Sequence, residues 1–236
     1  MTIRDQINDV LKKYPSLSIS SDKGGYILSG EIIMDKSYND IPLYENYHLK
    51  ICIPEDFPVH IPAVFDTNDD VPPSFMHFMD DNSFCLGAHC DLRAFLEDQP
   101  LLAAFIDEIV MSYLYAVSFF KLYGAMPFGQ RSHGIKGMIE AYQERYSTGE
   151  NYKLLGHFLC IVVGALPYRG HHLCPCGSGK FLRNCHGPKV LHDLRSKYID
   201  DYQRDADFIL EELVKMIKRK EQEQIGKDDT SKKLLR

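Results

Sequence analysis

Four side chains of the metal-binding kind fall within 13 residues: Cys174, Cys176, Cys185 and His186. The pattern is Cys-x-Cys, eight residues, then Cys-His. Three thiols and an imidazole suit a tetrahedral zinc ion. Gly177, Ser178 and Gly179 let the backbone turn tightly enough to bring both pairs onto one ion. Four protein ligands leave no open coordination position, so such an ion is structural and not catalytic. Binding energies of about 10–16 kcal/mol suffice to order a small lobe around it. His171 and His172 are substitute ligands of lower rank, and a redox pair is the competing reading of the thiols. The run Gly177-Ser178-Gly179-Lys180 lacks the preceding strand and the full glycine-to-lysine spacing of a phosphate loop.

The other cysteines are Cys52, Cys85, Cys90 and Cys160, seven in all. An odd number, unevenly clustered in a chain without an apolar leader, favours metal and thiol chemistry over a disulfide framework. The 236 residues are 44% hydrophobic with a net charge of −6, which suits a globular protein and argues against a dominant nucleic-acid surface. The apolar stretch from Leu101 to Phe120 carries Asp107 and Glu108, and that from Leu154 to Leu166 is too short to span a bilayer. The expectation is therefore a cytoplasmic protein with neither membrane nor nucleic acid among its partners.

Hydrophobic periodicity predicts an α+β fold. Ile3, Ile7, Val10, Leu11 and Tyr14 share one face of a helix over 2–14, with Thr2 and Asp5 spaced as a capping box. Strands follow at Leu17–Ile19, at 26–34, at 46–53 where Tyr47, Leu49, Ile51 and Ile53 alternate with polar residues, and at 63–67. Short connections between them suggest an antiparallel four-strand meander. Residues 68–92 show no periodicity, and a loop of that length in a compact domain is usually functional. Helices are expected over 100–123, 135–147, 152–165 and about 190–220. The division is then 1–125 for the α+β domain, 126–168 for a helical extension, 169–220 for the zinc module and its helix, and 221–236 for a flexible polar tail.

Within the long loop, Cys85 sits among Asp, Asn, Ser and Gly, a setting for an accessible thiol. Acyl transfer through sulfur needs such a thiol, because the thiolate is the nucleophile. At an ordinary pKa, roughly 3% is ionised at pH 7. That is enough for a reaction whose incoming acyl group is already a thioester, whereas a protease needs a dedicated histidine base. Asp80, Asp81 and Asp91 disfavour the thiolate. The competing reading of Cys85 is a small buried hydrophobe between Phe84 and Leu86. Cys90 ranks second; Cys52 and Cys160, in apolar runs, are expected in the core. Downstream, Gln130, Arg131, Ser132 and His133 form a polar cluster just before a helix.

Two resemblances add to this. The metal pattern resembles the SEC-C motif, similar to the zinc tail of the bacterial preprotein translocase motor. It implies a small interaction module and no particular activity. The order of elements over 2–125 resembles the ubiquitin-conjugating enzymes. Phe57-Pro58, Pro62 and Val64 look like that family's proline-rich bend, and Asp81-Asn82-Ser83-Phe84-Cys85-Leu86 looks like its cysteine signature. The family's asparagine, eight residues before the cysteine, is His77 here. An imidazole N–H is able to donate to an oxyanion as the amide does. The resemblance implies a ubiquitin-conjugating-like (UBC-like) fold and a bacterial conjugation system of the antiviral kind. Cys85 would accept a ubiquitin-like protein from an activating enzyme as a thioester and pass it to a target. His77 would stabilise the oxyanion and His133 would deprotonate the acceptor. The alternatives are a non-catalytic UBC-like scaffold that binds partners through the zinc module, and a cysteine hydrolase built on Cys85 and His133.

Overall fold

A computed structural model describes residues 1–22, 24–129 and 131–234, with the side chains of 217 and of 220 onward outside the description. The chain divides into two compact units, Met1–Gln130 and Arg131–Arg236. The second unit thus takes in residues 131–168 of the segment expected as a helical extension, together with the Cys/His segment. The expected polar tail over 221–236 lies outside the described side chains.

In the first unit, helix α1 (Ile3–Lys13) starts on the expected capping box, with Thr2 and Asp5 bonded reciprocally. It buries Ile7 and Val10. Four strands follow: β1 (Leu17–Asp22), β2 (Gly25–Tyr38), β3 (Ile41–Pro54) and β4 (Ala63–Asp66). They pair antiparallel in chain order, with Leu28 opposite Ile51 and Ile51 opposite Val64. The two central strands run well beyond the lengths expected from alternation. Their tips join at Asn39-Asp40, both at positive φ (48° and 61°), the backbone of a two-residue hairpin turn. The core face carries Leu28, Ile32, Tyr47, Leu49, Ile51 and Val64, all fully buried.

Helix α2 (His89–Asp98) occupies the end of the segment expected to be irregular. It buries Cys90, Arg93 and Leu96, three residues apart along one face. Arg93 reaches the proline-rich bend, where its guanidinium donates to the carbonyls of Pro58 (2.7 Å) and Val59 (2.8 Å). Helix α3 (Leu102–Tyr123) has a π-helical stretch over Phe105–Val110. Its first N–H is capped from α1, by Gln6 Oε1 at 2.7 Å. By length and composition α3 is apolar enough to cross a membrane. Here Leu102, Phe105, Ile106, Val110, Leu114 and Val117 are buried in the same core as the sheet.

The second unit is helical. It comprises α4 (Gly134–Tyr146), α5 (Tyr152–Val162), α6 (Gly187–Arg195) and α7 (Ile199–Leu234). The single helix expected from 190 to 220 is broken at Ser196, whose hydroxyl accepts from the Tyr198 N–H (2.9 Å) and whose carbonyl accepts from Ile199. That arrangement competes with helix continuation, as short hydroxyl side chains do. Leu155, Phe158, Leu159, Val162, Tyr202, Ala206 and Ile209 form this unit's own core.

Candidate functional sites

The metal ligands sit on a short hairpin. The Cys174 N–H donates to the Lys180 carbonyl (2.8 Å) and the Leu182 N–H to His172 (2.8 Å), with Leu173 facing Phe181. Gly177 and Gly179 turn the chain at φ +79° and +73°, a region that side-chain-bearing residues rarely enter. A 3₁₀ turn at Leu182–Asn184 then delivers Cys185 and His186 to the first two cysteines. One ligand atom from each of Cys174, Cys176, Cys185 and His186 lies within 4.8 Å of the others. Cys174 Sγ and Cys185 Sγ are 3.2 and 3.1 Å from His186 Nδ1, and the sulfurs of Cys176 and Cys185 are 3.6 Å apart. With Zn–S of about 2.3 Å and Zn–N of about 2.0 Å, tetrahedral zinc spaces its ligands by about 3.5–3.8 Å. The two sulfurs meet that spacing, and the two sulfur–nitrogen distances are a few tenths of an ångström shorter. The donor set therefore fits a metal ion, and thiolate with imidazole is compatible with zinc. Among the described residues the cluster is these four; His171 and His172 are exposed and outside it.

The surroundings orient the ligands. His186 Nε2 is 3.3 Å from the Ser147 carbonyl, just past the end of α4. A proton on Nε2 leaves Nδ1 as the metal-facing nitrogen. The His186 ring stacks on buried Phe158 of α5, with centroids 5.3 Å apart. Burial pushes the Cys174 thiol up to about 11. Hydrogen bonds from Ser178 pull Cys176 down to about 6. None of these partners is announced by ligand spacing: one is a backbone carbonyl and another a core aromatic.

The second site is the thiol of Cys85. Phe78 and Phe84 pair antiparallel, flanked by hydrogen bonds from Cys85 N–H to the His77 carbonyl (2.9 Å) and from Met79 N–H to Ser83 (2.8 Å). His77 and Cys85 therefore stand opposite one another across a two-stranded ribbon. Asp81 accepts from both the backbone and the hydroxyl of Ser83, bonds that hold its carboxyl below the usual range, and Asn82 takes φ +65° to close the turn. The Phe84 N–H donates to Val64, which ties the ribbon to β4. Cys85 is half-buried, and so is His77. The His77 ring packs 5.1 Å from that of Phe75, and its Nε2 is shielded from solvent.

Sequence reasoning missed Tyr113 of α3. Its hydroxyl donates to the His77 carbonyl (2.8 Å) and its ring stacks on Phe84 at 4.3 Å and 18°. Burial, with Cys85 and Asp66 nearby, pushes its phenol well above the ordinary range. The remaining thiols differ from expectation in part. Cys90 is buried. Cys52 is half-exposed on the outer face of β3, because it alternates with buried Ile51 and Ile53; Cys160 is also half-buried, and burial raises its thiol pKa. His133 belongs to the second unit, where it is exposed at the N-cap of α4. The preceding Ser132 donates its N–H (2.8 Å) and hydroxyl (2.6 Å) to Glu140.

No protein-family model, curated protein or solved structure matches this chain.

Proposed function

We propose that the protein is an acyl-transfer protein of the ubiquitin-conjugating type, with Cys85 as thioester carrier and a structural zinc ion in its second unit. The observation that carries the reading is the placement of Cys85. A partly exposed thiol stands on a ribbon tied to the last strand of an antiparallel meander. In this reading the Cys85 thiolate attacks the carbonyl carbon of a thioester joining a ubiquitin-like protein to its activating enzyme. The activating enzyme's thiolate leaves. A target amine then attacks the new thioester, the tetrahedral oxyanion collapses as the carbon–sulfur bond breaks, the Cys85 thiolate is expelled, and the amine's proton passes to solvent. His77, opposite Cys85, is the donor proposed for the oxyanion, through Nδ1, since Nε2 is shielded. His133 takes no step here. Zinc, held by the three thiolates and His186 Nδ1, would supply a closed crosslink and no reactive position.

A non-catalytic scaffold is the second reading, and one observation favours it: the His77 ring packs on buried Phe75. An assay with the cognate activating enzyme, ubiquitin-like protein and ATP separates the two. The transfer reading expects an adduct that is cleaved by thiol and lost in Cys85→Ser. No adduct from an activating enzyme shown to be charged would leave the scaffold.

A further inference from the structure

We infer that Tyr113 is the positioning residue for the Cys85 thiol, holding both strands of the ribbon that presents it. The inference deepens the transfer reading and rests on it for its catalytic consequence. Its structural basis is independent of that reading. One side chain from α3 makes two different contacts with the ribbon. The hydroxyl donates to the His77 carbonyl (2.8 Å), the same oxygen that accepts the Cys85 N–H (2.9 Å). The ring lies flat on Phe84, the residue before Cys85, and edge-on to Phe75, two residues before His77 (5.4 Å, 89°). Tyr113 is buried, and an offset stack with an edge contact is a favoured aromatic arrangement. The ribbon is short, a single bridge with two flanking hydrogen bonds, and isolated hairpins of this size are marginal in water. Its order therefore depends on what it is tied to. Among its ties are the Val64 carbonyl from the sheet and Tyr113 from the helix. Of these, the tyrosine touches the chain on both sides of the turn.

The helix supplies its own control. Tyr115, two residues on, also donates to backbone carbonyls, of Ile41 (3.0 Å) and Tyr38 (3.4 Å), beside the β2–β3 turn. Tyr113→Phe and Tyr115→Phe each delete one buried hydroxyl from the same helix. Amide exchange followed by NMR, and alkylation of Cys85 by iodoacetamide read by peptide mass across neutral to mildly alkaline pH, are measured on the full chain. In Tyr113→Phe the Cys85 and Met79 amides are expected to exchange about fivefold faster, the scale of one lost hydrogen bond. The Cys85 alkylation profile departs from wild type by a similar factor. In Tyr115→Phe both readouts overlay wild type at a comparable loss of melting temperature. Equal effects from the two variants, or none from Tyr113→Phe, overturn the inference. If Tyr113→Phe does not fold, Phe84→Leu, which keeps the hydroxyl bond and removes the stacked ring, takes its place in the same comparison. The transfer reading fails separately, by the absence of a thioester on the wild-type protein. With a thioester present, Tyr113→Phe is expected to slow its discharge, and Tyr115→Phe is not.

Discussion

The two ring nitrogens of His186 have different neighbours, two thiols on Nδ1 and the Ser147 carbonyl on Nε2. A histidine so fixed enters a metal shell in one orientation. Wild-type protein is expected to carry one zinc per chain by elemental analysis, and His186→Ala to lose it on passage over a mild chelator. Retention of zinc by that variant would remove His186 from the ligand set. A different residue decides the stability of the helices around the site. Asp193 of α6 is fully buried, and it accepts from Arg145 Nε (2.7 Å), Arg145 Nη2 and the Tyr146 hydroxyl (2.7 Å). Burial works against the Arg145 charge, but Asp193 more than offsets this and raises its pKa. Asp193→Asn leaves a largely buried guanidinium short of its counter-charge, a loss of about 3–5 kcal/mol. Urea unfolding of the second unit's helices checks this, and a change under 1 kcal/mol, within the usual range of exposed pairs, would show the pair is unimportant. The four clustered Cys and His side chains were legible in the sequence because residue type and local spacing alone mark a group able to hold a metal ion. Asp193, Arg145 and Tyr113 were not, since each acts through a partner more than 30 positions away.

Elements were legible where one face is apolar and the other polar. Helix α1, with its Thr2–Asp5 box, and the core of β3 follow directly from periodicity and capping. Thr2→Ala removes one half of that box and should cost about 1 kcal/mol, read as a lower urea midpoint for the first unit. The outer halves of β2 and β3 escaped because Asp35, Lys36 and Ser37 face mostly solvent and follow no alternation. What extends them is the Asn39-Asp40 turn, a signal of φ preference and not of hydrophobicity. Helix α2 escaped because its buried face includes Arg93, an arginine that only the Pro58 and Val59 carbonyls make tolerable inside. Between elements, Glu45 of β3 reaches α3, accepting from Lys121 (2.7 Å), Ser118 (2.6 Å) and Tyr47 (2.9 Å). Burial pushes its carboxyl up, and the bonds to Lys121, Ser118 and Tyr47 outweigh that, so its folded pKa lies below the ordinary 4.5. A lowered acid pKa contributes stability above its unfolded value, and that contribution is lost as pH falls through the folded one. Acid titration of wild type and Glu45→Gln should therefore diverge at and above pH 4.5 and converge below it. Parallel curves throughout would mean that the carboxylate adds nothing as an ion.

Each unit has its own core, and the metal ligands belong to the second. In that unit the hairpin from His172 to Leu182 is held by few backbone bonds and leaves Leu173 and Phe181 exposed, so little apolar burial supports it. A zinc site of this donor type is worth about 10–16 kcal/mol. That is of the same size as the whole stability of an ordinary domain, about 5–15 kcal/mol. The ion, not packing, should therefore decide whether the hairpin is ordered. The helices are different: Leu155 and Leu159 of α5 and Tyr202, Ala206 and Ile209 of α7 are buried in a core of their own. Stripping the metal should thus act in steps. The chain has no tryptophan, so hydrogen exchange read by mass spectrometry is the suitable probe. On chelation, peptides over 170–187 should lose protection first. Peptides around Ser147 and Phe158 should follow, because the His186 ring bonds and stacks there. Peptides of β2, β3 and α3 in the first unit should keep their wild-type exchange, because none of their core residues is a ligand. Loss of protection in the first unit would mean that the two cores share their stability. Unchanged exchange over 170–187 would mean that the four ligands hold no ion on which the fold depends.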